Sequence, residues 1–400
     1  MIRTLAYFTP VRAFKSGEEI YMQSASGRVL EALAAHFEKV FVCARVVEGA
    51  PPEPFDSPLD AANLELVPQA CWNTTADSLL HFTEIAKAYV RASRQADVLF
   101  VRGMCPYTPI LYLCALLFGK PICHWIVGDP LTLLRTNTRR GPLMDRFAIL
   151  YALQDRFFTR LGSWLARGSL ICNGRELARA YASPRTVEIV SSTVQACDFY
   201  PRTDTCRRNV VRILFVGFLR PEKGLEYLLE AVSLIKPTVN WELEIVGPRD
   251  FPEYGEKLDR IVAAQGLRRR IEWSGYVPNG KPLFDCMRAA DIFVLPTLSE
   301  GTPHVLVEAR ANGLPCISTS VGGVPSTVTP GYDAILVPPK DAPALARAIE
   351  RVASDGELRR ALIRNGLEAA RQQTLDHFIS VVLGELRTNV RAGSAPLPQE

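Results

Sequence analysis

The 400-residue sequence predicts an α/β protein of two doubly wound, Rossmann-like domains facing a cleft. Three observations predict it. Short β-branched, apolar runs alternate with longer helical patterns from end to end, as βα units and parallel sheets require. The length exceeds the roughly 250–300 residues at which a single core stops growing. A polar, turn-rich stretch without apolar period, "CDFYPRTDTCRRN" at residues 197–209, divides the runs into two sets. The expected division is an N-terminal domain over 1–200, a C-terminal domain over 207–373, a closing helix over 374–390 and a disordered tail over 391–400.

In the first set the strand candidates are "TLAYFTP", "VFVCARV", "LELVP", "DVLFVRG", "PICHWIVG", "SLICNG" and "TVEIVSS". The first breaks at Pro10, too early for a signal peptide, and a long loop with a helix starting near Gly17 is expected after it. "PILYLCALLFG", Pro109 to Gly119, falls short of the about 18 apolar residues of a membrane span and reads as a buried core helix. The second set offers "VRILFVG", "WELEIVG", "IEWSGYV", "DIFVLPT", "PCISTSV" and "AILVPP". "LDHFISVVLGELRTNV" is amphipathic and forms the closing helix, and the tail "RAGSAPLPQE" is small, polar and Pro-containing.

With 48% hydrophobic and 22% charged residues the composition is that of a soluble globular protein. The net charge of +4 is too small to point to nucleic acid. Ten cysteines lie scattered without a CxxC pair, several inside apolar runs, where a reduced thiol packs as a small hydrophobe. A cytoplasmic setting follows, and neither a disulfide framework nor a zinc site is expected.

The most informative stretch is "SEGTPHVLVEARANGLP", Ser299 to Pro315. Thr302 suits an N-cap and Pro303 the first helical position, while Gly313 and Pro315 supply a stop. The helix therefore runs from about Pro303 to Asn312, after the strand "DIFVLPT". Its first N–H groups, on His304 and Val305, make an anion site suited to phosphate. Glu300 precedes that site, and Glu308 stands on the order of 8 Å along the axis from Pro303. Carboxylates beside a phosphate repel it unless they accept hydrogen bonds from neutral donors, and sugar hydroxyls are such donors. One acid on each side of a diphosphate could hold the ribose and the transferred hexose of a nucleotide-sugar. Two solvated surface acids are the plain alternative.

That Glu pair, followed by "GLPCISTSVGGVPSTVTPGYDAILVPPKDAPALARAIERV", resembles the signature of glycosyltransferase family 4, retaining enzymes of GT-B fold. The resemblance is strong over residues 210–355 and weak before 200. It implies hexose transfer from a nucleotide-diphosphate sugar to a saccharide or lipid-linked acceptor, in polysaccharide or glycolipid assembly. It also implies retention of the anomeric configuration and no cofactor beyond the donor. Glu300 would touch the transferred sugar near the reaction centre, and Glu308 the ribose hydroxyls. The amides of His304 and Val305 would take the phosphate, with Gly301, Thr302 and Pro303 completing the donor loop.

"VRILFVGFLRPEKGLEYLLEA" is a strand, a turn at Gly217 and a helix. Arg220 and Lys223 fall in the turn, where they could stabilise the charge that builds on a departing diphosphate. Arg grips phosphate with two bonds and Lys acts as a point charge. Two surface charges on a solvated turn are the alternative. Family 4 commonly reads Gly-Arg-Leu before its Pro-Glu-Lys-Gly. Here Phe218 holds the Arg position, and Arg220 is the candidate replacement. With these cations, and no Asp-x-Asp pair or His/Asp cluster of ligand spacing, a metal is not required.

In the first half, Ser16-Gly17-Glu18 resembles the family's Gly-rich loop, which faces the diphosphate and acceptor, but carries one glycine instead of two. Members often place a His near the end of the strand that reads "PICHWIVG" here. Alignment on Gly128-Asp129-Pro130 puts Val127 at that position, leaving Asp129 as the polar candidate beside Glu300 and Lys223 in the catalytic set. A turn residue before Pro is its other reading, and His124 reads as a satisfied core histidine. Residues 135–167 hold seven arginines, two aspartates and many apolar residues. They form either a basic amphipathic face peripheral to anionic membrane, at its inner side, or an ordinary helix with a solvated basic side. A GT-B nucleotide-sugar epimerase and a non-catalytic nucleotide-sugar-binding subunit are the alternative functions. Hydride transfer fits poorly, because no G-x-G-x-x-G follows a strand.

Overall fold

The computed structural model describes residues 2–51, 56–72, 75–128, 131, 142–249 and 251–393. The chain forms two compact units, one built from residues up to Ile189 and from Leu375 onward, the other from Val190 to Thr374.

The strands of the first unit are β1 (Thr4–Ser16), β2 (Glu19–Gln23), β3 (Lys39–Glu48), β4 (Asp56–Pro58), β5 (Leu64–Gln69), β6 (Val98–Arg102), β7 (Ile122–Ile126), β8 (Ser169–Asn173) and β9 (Thr186–Ile189). Among the described residues they form one sheet. Its parallel part runs β5-β3-β1-β6-β7-β8-β9, so the chain builds outward from β1 and then restarts on β1's other side. Covered by helices on both faces, β7 and β8 are buried throughout, which is why they read as unbroken apolar runs.

The region after β1 departs from expectation. In place of a long loop, β1 continues through a register shift between Phe8 and Arg12 and pairs with β2 in a hairpin closed at Ser16↔Glu19. Pro10 sits at that irregularity, where a missing N–H breaks no ladder. The Thr9 hydroxyl accepts the Val11 N–H there, and Ala13 and Met22 are buried as a pair across the hairpin. Gly17 occupies the tip at φ +63°, and the helix begins only at Ser24.

The apolar helix Thr108–Leu117 is also not the core helix expected. It buries Leu111, Tyr112, Cys114 and Ala115 but exposes Leu113, Leu116 and Leu117. The helix Leu375–Gly393 returns to the first unit, where Phe378 packs on Trp125 with ring centroids 4.5 Å apart and Asn389 donates to the Ile122 carbonyl. The tail from 394 lies outside the described residues.

The second unit holds β10 (Val211–Val216), β11 (Trp241–Val246), β12 (Ile271–Gly275), β13 (Ile292–Leu295), β14 (Cys316–Thr319) and β15 (Ala334–Val337). They form an all-parallel sheet in the order β12-β11-β10-β13-β14-β15. The order reverses between β10 and β13, and the crevice above their carboxyl ends is where such sheets bind ligands.

Residues 197–209 are not a linker in the structure. The Arg202 guanidinium donates to the carbonyls of Met287, Arg288, Ala290, Asn312 and Gly313, satisfying the ends of two helices. Tyr200 N–H bonds the Ala311 carbonyl, and Asp204 pairs with Arg359 at 2.6 Å. The stretch lacks apolar period because its polar groups serve as caps.

Candidate functional site

Two loops leave the switch point of the second sheet. After β10 the chain passes Gly217 and Arg220 into a 3₁₀ turn, Pro221–Lys223, and then the helix Leu225–Leu234. After β13 it passes Thr297 and Glu300 into the helix His304–Ala311. The loops are bolted together: the Glu222 carbonyl accepts from Leu298 N–H at 2.7 Å and from the Thr297 hydroxyl at 3.0 Å. A Cβ on Gly224 would lie 2.3 Å from the Pro296 oxygen, so only glycine allows this approach. The outcome is an ion pair, Lys223 Nζ to Glu300 Oε2 at 2.5 Å, with both side chains mostly buried.

The loop after β14 fixes the Glu300 backbone from the other side. Gly323 N–H donates to the Glu300 carbonyl at 3.1 Å. Side chains at Gly322 and Gly323 would collide with the Glu300 and Gly301 carbonyls, at 2.1 and 1.9 Å. Glu300 is therefore held at its backbone by two glycines and at its tip by a lysine.

The helix His304–Ala311 starts one residue later than expected. Pro303 takes the cap position, with ψ 89°, and Thr302 stands before it. Proline offers no side-chain oxygen, so the first turn has no side-chain cap, and the Thr302 hydroxyl, in a residue only 8% exposed, has no hydrogen-bond partner among the described residues. Leu306 N–H bonds the Pro303 carbonyl, and the His304 and Val305 amides belong to the first turn before it. Glu308, one turn on, is 4% exposed, which rules out the solvated alternative. Its Oε1 accepts from Asn279 Nδ2 at 3.0 Å and from the Thr193 hydroxyl at 3.2 Å.

Thr193 and Asn279 were not legible as site residues. Each lies in a turn-rich stretch more than 25 positions from Glu308, and only the folded chain brings them to it. If they orient Glu308, Asn279→Ala should raise the donor dissociation constant about tenfold, as loss of one bond to a charged group allows. Thr193→Val should do the same. Titration calorimetry reads both, with the melting temperature as control.

Behind this surface the helix is anchored by Arg310, fully buried and paired with Asp333 at 2.5 Å. Its guanidinium also donates to the Leu306 and Thr327 carbonyls and to Gln373 Oε1. The Phe218 ring lies 5.0 Å from the Arg220 guanidinium carbon, and the Phe251 ring lies 5.5 Å from it. The aromatic side chain thus holds Arg220 through its ring face. Gly217 is bonded to β11 through its N–H, and its carbonyl lies against Gly247.

The second unit thus gathers Gly217, Arg220, Lys223, Glu300, Gly301, Thr302, Pro303, His304, Val305 and Glu308 on elements around one sheet crevice. Ser16 and Gly17 instead form the hairpin tip of the first unit, and Asp129 lies outside the described residues. His124 is a core residue. Its Nε2 faces the Gly103 carbonyl at 2.9 Å and so carries the proton, while Nδ1 accepts from Tyr112 at 3.0 Å. Burial pushes it down to about 4.

Residues 207–369 match the family model of glycosyl transferases group 1. An uncharacterized glycosyltransferase of Methanocaldococcus jannaschii is 35% identical over 153 residues, 38% of this chain and 38% of that protein. The chain spans about half the length, or less, of the curated relatives it matches. Over 98% of this chain and all of the other, the structure is similar to a sucrose-phosphate synthase from Thermosynechococcus elongatus, at TM-score 0.72 and 20% identity. Over 96% of this chain and all of the other it is similar to Anabaena HepE, solved in complex with UDP, at TM-score 0.68 and 14% identity. The fold is that of the GT-B glycosyltransferases, and with the group 1 match it supports a glycosyltransferase.

Proposed function

We propose that the protein is a retaining family 4 glycosyltransferase that moves a hexose from a nucleotide-diphosphate sugar to a saccharide or lipid-linked acceptor. The observation that carries this reading is the buried Lys223–Glu300 pair beside an uncapped helix start, with the unpartnered Thr302 hydroxyl between. A diphosphate answers each of these needs. Its oxygens accept from the His304 and Val305 amides, from the Thr302 hydroxyl and from Lys223, whose ammonium has three donors and can keep Glu300 while binding phosphate. Arg220 adds a second cation.

In the transfer, the bond between the sugar's anomeric carbon and the diphosphate oxygen breaks, an acceptor hydroxyl oxygen bonds to that carbon and gives up its proton to the departing diphosphate, and negative charge grows on the leaving group as it parts. Cations and amides already fixed in place stabilise that charge without reorganising, and in this reading they supply it without a metal ion. Glu300, held at backbone and tip, meets hydroxyls of the transferred sugar. Glu308, held by Asn279 and Thr193, meets those of the ribose. The complex of HepE with UDP supports a nucleoside diphosphate as ligand class. Ten free thiols suit a reducing, cytoplasmic compartment.

Calorimetric titration with a panel of UDP-, GDP- and ADP-sugars tests the reading. One nucleotide should bind well above the others, and Glu308→Ala should weaken it at least tenfold without lowering the melting temperature. No binding across the panel, or unchanged affinity in the variant, rejects it. Donor incubated without acceptor should at most hydrolyse slowly. Conversion of its sugar would assign an epimerase instead.

A further inference from the structure

In the first unit, the helix Pro142–Leu165 turns a mainly apolar stripe, interrupted by arginines, to solvent. Arg146, Leu150, Leu153, Phe157, Arg160 and Trp164 follow one another at alternating spacings of four and three, which aligns them on one side of the helix. All six are exposed, Phe157 at 61% and Trp164 at 60%. Beside the stripe, Ile149, Phe158 and Leu165 are exposed as well. Isolated exposed apolar residues are ordinary, but a row this long is not.

A second helix widens the face. Thr108–Leu117 crosses the first so closely at Gly162 that a Cβ there would lie 2.4 Å from the Tyr112 ring. Leu116, one turn beyond Tyr112 on the second helix, and Phe158, one turn before Gly162 on the first, are both exposed. Leu113 and Leu117 extend the surface, and this helix carries no charged residue.

The charges have one sign. Among the described residues, every exposed charged side chain of Pro142–Leu165 is an arginine, and Arg167 follows its end. Asp155 is turned inward and bonded to Thr108, with burial raising it to about 6. Arg160 is steadied by its bond to the Ala182 carbonyl while its head stays exposed.

We propose that this two-helix face rests on an anionic lipid bilayer, with the leucines, phenylalanines and Trp164 in the headgroup boundary and Arg146, Arg160 and Arg167 on lipid phosphates. The composition suits an interfacial helix, apolar and aromatic in the stripe and basic at intervals. No helix among the described residues is long and apolar enough to cross a membrane, so the contact lies along the surface. A second copy is disfavoured by the same arginines. In a two-fold contact the stripe meets itself and offers these arginines no opposite charge, whereas an anionic surface makes each of them favourable. The proposal is independent of the donor site.

The test is cosedimentation of the full chain with vesicles of phosphatidylcholine, alone or with about a third phosphatidylglycerol. Expected are binding to the anionic vesicles at least tenfold stronger than to the neutral ones, loss of binding in high salt, and a blue shift of tryptophan emission that Trp164→Phe abolishes. Leu153→Ser with Phe157→Ser should cut binding at least tenfold. Arg146→Gln with Arg160→Gln should erase the preference for anionic lipid. All these residues are exposed, so melting temperature and nucleotide affinity should stay at wild-type values in each variant. The proposal is overturned if the protein stays in solution with both vesicles, or if the Leu153/Phe157 variant binds like wild type. It is equally overturned if the protein is a dimer in ultracentrifugation that this variant dissociates, which would assign the face to a second copy.

Discussion

Glu300→Gln is expected to lower turnover by about a hundred- to a thousandfold while changing donor affinity little, the scale seen when a preorganised polar group at a reacting centre is removed. The Glu300 backbone is trapped between the bonded turn of Glu222 and the close-packed glycines at 322 and 323, so its side chain has little freedom to move. Its tip meets Lys223 at 2.5 Å, and neither group is well hydrated. Glutamine keeps the size but loses the charge, so the ammonium loses its counter-ion and the sugar hydroxyls lose a charged acceptor. In the proposed transfer both matter most when the diphosphate departs. Lys223→Met should behave differently, since it removes a cation from the diphosphate itself and should raise the donor dissociation constant as well as lower turnover. Single-turnover rates with separately measured binding constants read the difference. Equal, negligible effects of the two substitutions would reject the assignment.

Arg310→Leu is expected to destabilise the second unit by about 3–5 kcal/mol, because it strands Asp333 as a buried charge without its partner. Its carbonyl partners, Leu306 and Thr327, lose donors at the same time. A unit of this size should melt roughly 10 °C lower. Adding Asp333→Leu removes the stranded charge, so the double variant should recover part of the loss rather than add to it. Calorimetric or urea unfolding measures this, followed by a probe in the second unit because two units can unfold separately. A loss below about 1 kcal/mol in the single variant would mean that the network does not support the helix.

The strands of the second sheet were legible because parallel strands buried on both faces must be apolar along their whole length. The Glu300–Glu308 stretch was legible too, since a proline and a glycine bracket its helix and the acids have fixed spacing along the chain. Where reading failed, a local signal was overruled by packing. Pro10 looked like a strand end but falls at a register irregularity, and the polar stretch 197–209 looked like a linker but caps two helices. Thr302 looked like a cap, yet Pro303 took that place.

By itself, then, the sequence determined the βα alternation, the apolar cores and the residue types of the loop around Glu300, because these depend on neighbours within a few positions. Tertiary structure alone decided which groups meet. Lys223 reaches Glu300 across 77 positions, Asn279 and Thr193 reach Glu308 across 29 and 115, and the helix Leu375–Gly393 rejoins the first unit. Such contacts follow from strand order and close backbone approach, and neither has a period or a spacing that a one-dimensional chain can display.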